Sequence, residues 1–436
     1  MKNFQIAIVA AFFCALTLQA QEMIQRQNSG GPSMNGTGFL CKKALIIMLD
    51  GVRSDTLEAI QHPLWDRLKK NTWQESYASV WSLHARPVKD ADPNSAPNHV
   101  AILTGASAAQ HKVFNNGEIA GGNYEQYPTF LEILAKSGHP GIFCFTWEED
   151  KFAGKEQTSV LKKHGTDQGN TDFLAQRLSE KDAPDISVIY LDDADHIGHK
   201  YQFSPFSPEY KAAVQKAMQN VQILLDAIAG RQSFQQEDWL IVLCSDHGGY
   251  GRNHGMPGGQ ASTIPLLVCS RRMQSIPNCM GLNVCDIAPV VLKHFRCEEG
   301  KQIQPCRLSC PYVFRFIPPK PTEVAPSRPI VSAGNGDFQF SVFLDEKGYF
   351  LHLQNGRKAL KLFHFPSDKT YDRMTIRIHS EGLAVFSATI NNTESFISDE
   401  LGTSLDIRDI KTLETAVKSD ENCRSGESQS EYGMLK

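Results

Sequence analysis

Between residues 40 and 300, hydrophobic residues occur in short continuous runs that are separated by longer mixed segments. Four runs without alternating polar positions predict parallel strands buried on both faces: Ala44–Leu49, Ile186–Leu191, Trp239–Cys244 and Ile264–Cys269. Helical patterns lie between them, over Thr129–Ala135 before a further strand at Gly141–Phe145, and from Ser207-Pro208 to Gly230. This alternation predicts an α/β fold, a doubly wound and mostly parallel sheet with helices on both faces.

The pattern changes after residue 310. Six prolines fall within Pro311–Pro329, which favours a semi-rigid linker over 311–333 between an α/β domain at 41–310 and a second domain. Hydrophobic and polar residues then alternate, as is typical of strands with one buried face. The strand positions predict a small all-β sandwich over 334–417 and a polar tail over 418–436: Phe338, Phe340 and Val342, then Tyr349–Leu353, Ala359–Phe365, Met374–Ile378 and Leu383–Ile390.

The first twenty residues are typical of a signal peptide rather than of the fold. Lys2 precedes an apolar run from Ile6 to Leu16, and Ala20 is a small residue at a suitable cleavage position. The run is too short to cross a bilayer, which takes about 20 apolar residues. A buried N-terminal helix is the alternative interpretation. Removal of residues 1–20 would make the protein secreted or periplasmic.

The cysteines agree with an oxidising compartment, because ten of the eleven remain once Cys14 is removed with the signal peptide. Five of them crowd one short segment and are the expected disulfide formers: Cys279, Cys285, Cys297, Cys306 and Cys310. Three others lie inside apolar runs and are expected to be core residues: Cys144, Cys244 and Cys269. The spacing does not determine which cysteines pair.

The overall composition is that of a globular protein with a sizeable core, with 41% hydrophobic and 21% charged residues. Because 44 Lys and Arg oppose 48 Asp and Glu, the net charge is −4. The chain therefore lacks the basic field that a nucleic-acid scaffold needs. Intrinsic disorder and a polytopic membrane protein are likewise excluded by the composition and the length of the apolar runs.

Acidic residues and histidines follow three of the predicted strands. Ligands of open α/β sheets bind at the carboxyl ends of the strands, so these side chains should converge on one edge. Each alone has an ordinary structural explanation, such as a turn, but together they could build two metal sites: Asp50, Asp195, His199, Asp246, His247 and His254. Carboxylates with imidazoles suit Zn²⁺, with Mn²⁺ or Fe as alternatives.

Ser95 is the candidate nucleophile. It precedes Pro97 and the apolar segment Val100–Leu103, which places it at a helix N-terminus, where free backbone amides favour anions. A serine beside a metal has a lowered pKa and becomes a stronger nucleophile. The plain alternative is that Ser95 only caps the helix.

In this order, the motifs resemble those of the alkaline phosphatase superfamily, in particular its type I phosphodiesterase/nucleotide pyrophosphatase branch, over about residues 41–295. The motifs are Asp50-Gly, Ser95-Ala-Pro-Asn-His, Asp195-x-x-Gly-His199, Asp246-His247-Gly and His254-Gly. The resemblance implies an alkaline phosphatase-like fold with Ser95 as nucleophile. It also implies that Asn116 steadies a phosphate oxygen. One zinc ion would be held by Asp50, Ser95, Asp246 and His247, and a second by Asp195, His199 and His254.

The implied function is that of an exported two-zinc hydrolase, which cleaves phosphodiester or pyrophosphate bonds through a phosphoseryl intermediate on Ser95. A phosphomonoesterase or a phosphonate hydrolase with the same ligands is the alternative, and a phosphoethanolamine transferase is a minor one. A phosphomonoesterase would need a cation for the extra charge, for which Arg86 and Lys89 are candidates. A sulfatase is disfavoured, because His99 stands where the sulfatase maturation motif has Arg.

Two regions have more than one interpretation. The β-rich segment weakly resembles laminin-G or lectin-like sandwiches, so a glycan-binding surface protein is the non-enzyme alternative, and a structural cap is the plain one. Four aromatic residues precede Ser95 and would either stack on a substrate or pack in the core: Trp65, Trp73, Tyr77 and Trp81. The expected partner is a small-molecule or headgroup phosphodiester, with glycan contact only through the β-rich segment and no transmembrane segment.

Overall fold

The computed structural model describes most of the chain from Cys41 onward: residues 41–155, 159–255, 259–273, 275–279, 281–297, 312–319, 329–345, 347–356, 358–366, 368–378, 383–400 and 411–415. The predicted signal peptide at 1–20 and polar tail at 418–436 lie outside the described residues. Among those residues, none of the helices combines the length and the hydrophobicity that crossing a bilayer requires.

A seven-stranded sheet forms the centre of the α/β region. Its strands are β1 (Cys41–Leu49), β2 (Ala78–Ala85), β3 (Gly141–Phe145), β4 (Val160–His164), β5 (Ile186–Leu191), β6 (Glu237–Ser245) and β7 (Ile264–Ser270). They lie in the order β2-β7-β6-β1-β5-β3-β4. Strand β1 pairs in parallel with β5 on one side and β6 on the other, with Ile46 opposite Val188 and Val242. The predicted mostly parallel sheet is therefore confirmed.

The direction predicted for Ile264–Cys269 is wrong. This segment, part of β7, pairs antiparallel with β6 and antiparallel with β2. A continuous apolar run reports burial on both faces, and burial does not depend on strand direction. A parallel connection needs a crossover, usually through a helix, whereas the described residues between Ser245 and Ile264 form no helix.

Helices cover both faces of the sheet, as predicted. They are α1 (Ser54–Ala59), α2 (Pro63–Lys69), α3 (Ser95–Thr104), α4 (Ala108–His111), α5 (Phe130–Lys136), α6 (Asp167–Ser179), α7 (Asp193–Tyr201), α8 (Pro208–Ala229) and α9 (Ile287–His294). Ile46 of β1 shares a core with α3, α5 and α9, and Ile47, on the opposite face, shares one with α1, α6 and α8. The predicted helix start holds, since Ser207 Oγ accepts from the Tyr210 amide at 3.3 Å.

The C-terminal region forms two antiparallel sheets around a shared core, as predicted. The strands are β8 (Tyr312–Phe316), β9 (Val331–Gly334), β10 (Phe338–Leu344), β11 (Gly348–Asn355), β12 (Lys358–Pro366), β13 (Arg373–Ile378), β14 (Leu383–Ile390), β15 (Thr393–Glu400) and β16 (Lys411–Thr415). One sheet has the order β12-β11-β10-β9-β16 and the other β15-β14-β13-β8. Aromatic pairs join the two sheets, for example Phe365 with Phe386 at 5.1 Å between ring centroids.

The linker predicted over 311–333 contains two strands of this sandwich, so the prediction is wrong there. Strand β8 pairs with β13, and β9 pairs with β10 and β16. Phe314 and Phe316 of β8 point into the sandwich core. Six prolines indicated a linker, but none of them falls within Tyr312–Phe316, so they do not interrupt β8.

The buried cysteines agree with their predicted core role, because Cys144, Cys244 and Cys269 are all buried in the α/β region. Cys306 and Cys310 lie outside the described residues. The disulfide framework that includes them therefore stays a prediction.

The position of β8 can be tested with Phe316→Ala. Because Phe316 is fully buried, its truncation should lower the free energy of unfolding by about 3–5 kcal/mol. The neighbouring Ile317 is 54% exposed, so Ile317→Ala should change stability by no more than about 0.5 kcal/mol. Urea unfolding of both variants measures the difference. Equal, small effects would mean that 312–316 is a linker after all.

Candidate metal centre

The predicted ligands meet at the carboxyl edge of the sheet. Asp50 directly follows β1, Asp195 lies in the first turn of α7 after β5, and Asp246 directly follows β6. Because β5, β1 and β6 are neighbours in the sheet, the three carboxylates are brought side by side. All three are buried. The strand order thus brings together three residues that are far apart in the sequence.

One group of ligand atoms forms around His247. The ligand atoms of Asp50, Asp246 and His247 lie within 4.8 Å of one another. His247 Nε2 is 3.2 Å from Asp50 Oδ1 and 3.3 Å from Asp246 Oδ2. Ser95 Oγ completes the group, at 3.2 Å from His247 Nε2 and 3.4 Å from Asp50 Oδ2. The structure therefore brings together all four residues of the first predicted zinc site.

The second group lies beside the first. His199 Nε2 is 3.3 Å from Asp195 Oδ2 and 3.1 Å from His254 Nε2. His254 Nε2 is 3.9 Å from Asp195 Oδ1. The ring of His254 stacks on that of His247 at 3.8 Å between centroids, so the two groups are adjacent. The structure brings together all three residues of the second predicted site.

The three histidines all present the same ring nitrogen to the centre. Their Nδ1 atoms lie 2.8–2.9 Å from the backbone carbonyls of Gly248, Pro93 and Arg252, for His247, His254 and His199 respectively. A carbonyl only accepts, so Nδ1 carries the proton and Nε2 has a free lone pair. Metal-ligating histidines are commonly oriented in this way by a partner for the other nitrogen.

Two carboxylate oxygens in the centre lack a donor. Asp50 Oδ1 and Asp195 Oδ1 are buried and have no hydrogen-bond partner among the described residues, whereas Asp246 Oδ2 lies 3.2 Å from His99 Nε2. Burial raises the pKa of Asp50 well above its ordinary value, and the nearby Asp246 and Asp195 carboxylates raise it further. Without a counter-ion, protonation of Asp50 is therefore favoured. A divalent cation would satisfy the same oxygens, so the residues fit a metal centre.

Burial also affects the imidazole of His254. Burial lowers its pKa to about 4, with a further contribution from His247 and partial opposition from Asp195. The side chain is thus neutral over the physiological pH range. A neutral imidazole is the form that ligates metal ions.

Comparison with known proteins shows a family to which part of this chain is similar. Residues 44–251 match the family model for type I phosphodiesterase/nucleotide pyrophosphatase. The predicted resemblance to this family is confirmed. A venom phosphodiesterase from Naja atra is 23% identical over 245 residues, covering 50% of this chain and 28% of that protein. The chain thus spans less than a third of this curated relative.

Two solved structures are similar over parts of the chain. Murine ectonucleotide pyrophosphatase/phosphodiesterase 5 is 16% identical with a TM-score of 0.39, covering 48% of this chain and 57% of that chain. The C-terminal periplasmic domain of a phosphoethanolamine transferase from Escherichia coli, in complex with Zn, is 12% identical with a TM-score of 0.42, covering 58% and 82%.

Asn116 lies next to the candidate nucleophile. Its Oδ1 accepts from the backbone amide of Ala96 at 3.0 Å, at the N-terminus of α3. Ser95 is the first residue of that helix, and Asn94 occupies the cap position. The structure therefore places Asn116 beside the N-terminus of α3, and Ser95 is not the capping residue. The role of Asn116 in steadying a phosphate oxygen stays a prediction.

Three buried groups around the centre were not singled out from the sequence. Tyr190 donates its hydroxyl to Asp50 Oδ2. His99 lies between two carboxylates, with Nε2 3.2 Å from Asp246 and Nδ1 3.0 Å from Asp150. Burial opposes protonation of His99, but Asp150 and Asp246 raise its pKa to about 10. In the sequence, His99 stands four residues after Ser95, and Tyr190 lies within β5. Only the fold shows that both side chains contact the proposed ligands.

Other candidates lie elsewhere. Trp65, Trp73 and Tyr77 are buried in the core, which agrees with the plain alternative for these aromatics. Arg86 is buried as well, and its guanidinium donates to three acceptors: the Ser262 carbonyl at 2.7 Å, Thr263 Oγ1 at 3.1 Å and the Ser398 carbonyl at 3.1 Å. The Arg86 side chain therefore joins the sandwich to the α/β region.

Gly51 is a point where added bulk should disturb the centre. Its φ is +66°, and a Cβ there would lie 2.7 Å from Asp195 Oδ1 and 2.9 Å from Phe203 Cε1. Gly51→Ala should therefore displace Asp195 and weaken zinc binding about 10-fold, as well as straining the backbone. Gly138→Ala is the matched control, since its φ is +85° with nothing within 4 Å of the new Cβ.

Zinc titration and urea unfolding of the two glycine variants separate these effects. Both should lose about 1 kcal/mol or more of stability from the left-handed backbone, but only Gly51→Ala should lose zinc affinity. Equal zinc affinities would show that the space beside Asp195 is unimportant for metal binding.

Proposed function

We propose that this chain is an exported phosphodiesterase or nucleotide pyrophosphatase that uses two zinc ions and forms a phosphoseryl intermediate on Ser95. The observation that carries the proposal is the position of Ser95 Oγ, 3.2 Å from His247 Nε2 and 3.4 Å from Asp50 Oδ2 at the start of α3. A serine in a buried group of metal ligands is the arrangement that a metal-activated nucleophile requires. The family match supports the class of reaction.

The resemblance implies two ligand sets. Asp50, Ser95, Asp246 and His247 would hold one ion. The second would be held by Asp195, His199 and His254. When bound, such ions lower the pKa of a serine or water and neutralise charge on the attacking and leaving oxygens. Zinc is favoured by the mixture of carboxylate and imidazole, and Mn²⁺ or Fe would suit the same donors less specifically.

Ser95 carries the covalent chemistry. Its Oγ forms a bond to phosphorus while the bond from phosphorus to the leaving oxygen breaks, and in net terms the hydroxyl proton of Ser95 passes to that leaving oxygen. Water then attacks the same phosphorus in line, its hydroxyl group stays on phosphorus, the bond to Ser95 Oγ breaks, and the other proton of the water returns to the serine. Asn116 and the positive end of α3 would stabilise the negative phosphate oxygens during both steps. The amide of Ala96 is not among the donors, because it is bonded to Asn116 Oδ1, and Pro97 has no N–H.

Asn116 orients the phosphate. Because its Oδ1 already accepts from the Ala96 amide, the side-chain NH₂ is the group available to a ligand. As a donor beside Ser95, it would bind a non-bridging phosphate oxygen as charge develops on it. Asn116 is thus a catalytic residue in the proposal, with a positioning contribution to the helix start.

The surroundings of Asn116 favour a diester over a monoester. The loop around it is acidic: the Phe114 amide donates to Glu118 at 2.9 Å, and the Gly117 amide to Glu149 at 2.8 Å. These carboxylates repel the dianion of a monoester more than the single charge of a diester. Arg86, a candidate for the cation that a monoesterase needs, donates through its Nη1 to three acceptors, one of which is the Ser398 carbonyl of the sandwich.

The export part of the proposal depends on the sequence of residues 1–20. Their charged start, apolar run and small residue at Ala20 support it.

Substrate preference tests the proposal directly. Wild-type protein loaded with zinc should hydrolyse bis-p-nitrophenyl phosphate with a higher kcat/KM than p-nitrophenyl phosphate. Ser95→Ala should lose at least about 10³-fold in kcat/KM for the diester, since it removes the nucleophile. Ser207→Ala, which removes the cap of α8, should keep the activity. A preference for the monoester would point to a phosphatase, and an active Ser95→Ala would exclude the phosphoseryl route.

Metal removal provides a second test. Dialysis against a chelator should abolish diester hydrolysis, and zinc should restore it, with two ions bound per chain by elemental analysis. The thermal midpoint should fall on removal, because the ions stabilise only the folded arrangement of ligands. Full activity in the metal-free protein would contradict the mechanism.

A further inference from the structure

A buried ion pair links the C-terminal sandwich to the metal centre. Arg53, three residues after Asp50, donates its Nε to Asp55 Oδ1 at 2.9 Å and its Nη2 to Asp55 Oδ2. Both side chains are almost completely buried, at 3% and 2% exposure. A buried pair of this kind is stable only when its remaining donors and acceptors also have partners.

Strand β15 of the sandwich supplies those partners. Ser395 Oγ accepts from Arg53 Nη2 at 3.0 Å and donates to Asp55 Oδ2 at 2.8 Å. The backbone amide of Phe396 donates to the same Asp55 oxygen at 3.1 Å. One hydroxyl of the sandwich therefore bridges both members of the ion pair.

The other side of Arg53 contacts the segments that carry the second ligand group. Its Nη1 donates to the carbonyl of Phe203 at 2.6 Å and to that of Gly249 at 3.3 Å. Gly249 begins the turn that leads to His254. The Phe203 ring lies against His199, at 5.2 Å, and against His254, at 6.1 Å between centroids. A shift of Arg53 would therefore be transmitted to both histidines.

A second contact reaches the same turn from the surface. Tyr250 and Asn253 close the turn by two backbone hydrogen bonds of 2.8 and 3.1 Å. The Tyr250 hydroxyl lies 2.9 Å from Nδ1 of His364 on β12. On the side that faces the histidines, the Arg252 carbonyl of this turn accepts a hydrogen bond from His199 Nδ1 at 2.8 Å. The turn is thus held between the sandwich and the histidines.

We propose that the C-terminal sandwich positions the second group of metal ligands, Asp195, His199 and His254, through Ser395 and Tyr250. Arg53, Asp55, Ser395 and Tyr250 are positioning residues, since none is itself a proposed ligand. The inference rests on one part of the proposed function, namely that Asp195, His199 and His254 bind a metal ion. It assigns a structural role in the active site to the segment for which glycan binding and a plain cap were the sequence-based alternatives.

Ser395→Ala is the primary test. Removing the hydroxyl leaves Arg53 Nη2 and Asp55 Oδ2 each without one partner, which should loosen the contacts of Arg53 with Phe203 and Gly249. We expect about 10-fold weaker binding of one of the two zinc ions, measured by chelator competition on the full chain, with the other ion unaffected. KM for bis-p-nitrophenyl phosphate should change less than kcat.

Ser398→Ala is the matched control on the same strand. The Ser398 hydroxyl contacts His84 Nδ1 at 2.9 Å and Thr263 Oγ1 at 3.3 Å between the same two regions, and its contacts differ from those that Ser395 makes with Arg53 and Asp55. It should loosen the interface to a similar extent while both zinc affinities stay within about 2-fold of wild type. Equal losses in the two serine variants would overturn the specific role of Ser395.

Tyr250→Phe keeps the inference testable if Ser395→Ala does not fold. Tyr250 is 44% exposed and the change removes only its hydroxyl, so the fold should be retained. We expect about a 3-fold loss of affinity for the same ion. If Tyr250→Phe and Ser395→Ala both bind the two ions as tightly as the unmodified protein, the inference is wrong while the proposed function stands. If the unmodified protein binds no zinc, the proposed function is wrong and the inference with it.

Discussion

Repulsion among Asp50, Asp195 and Asp246 is the interaction on which the rest of the site depends. Three carboxylates buried at one sheet edge are unfavourable unless positive charge or hydrogen-bond donors compensate them. The protein supplies part of that compensation through the Tyr190 hydroxyl, the Gly51 amide on Asp246 and the imidazole of His99. The oxygens that still lack donors face the cluster. Some carboxylate oxygens are therefore left for a cation to bind, as in a metal centre.

Much of this arrangement could be predicted from the sequence because strand ends carry the chemistry. Asp50 and Asp246 stand close after apolar runs, and Asp195 stands four residues after a third. Parallel strands bring their carboxyl ends to one edge, so local patterns were sufficient to predict a shared site. Ser95 was accessible in the same way, from Pro97 in the first turn of its helix.

Features that depend on long-range pairing were not accessible. The direction of β7 follows from its connection to β6 and leaves no trace in its own apolar residues. The inward alternation of Phe314 and Phe316 was present in the sequence, but the flanking prolines indicated a linker more strongly. His99 and Asp150 are 51 residues apart, and only the packing of α3 against the sheet makes them partners.

The hydrogen bond between Arg53 and Ser395 joins residues separated by 342 positions, and it connects the C-terminal sandwich to the α/β region beside the centre. Arg53 is three residues from Asp50, a proposed ligand, so the proposed positioning needs only one side chain between the sandwich and the centre. An ion pair buried between domains is costly unless both domains complete it, and Ser395 and the Phe396 amide supply the part that comes from the sandwich. A segment that contributes no ligand can therefore still determine how precisely the ligands are held.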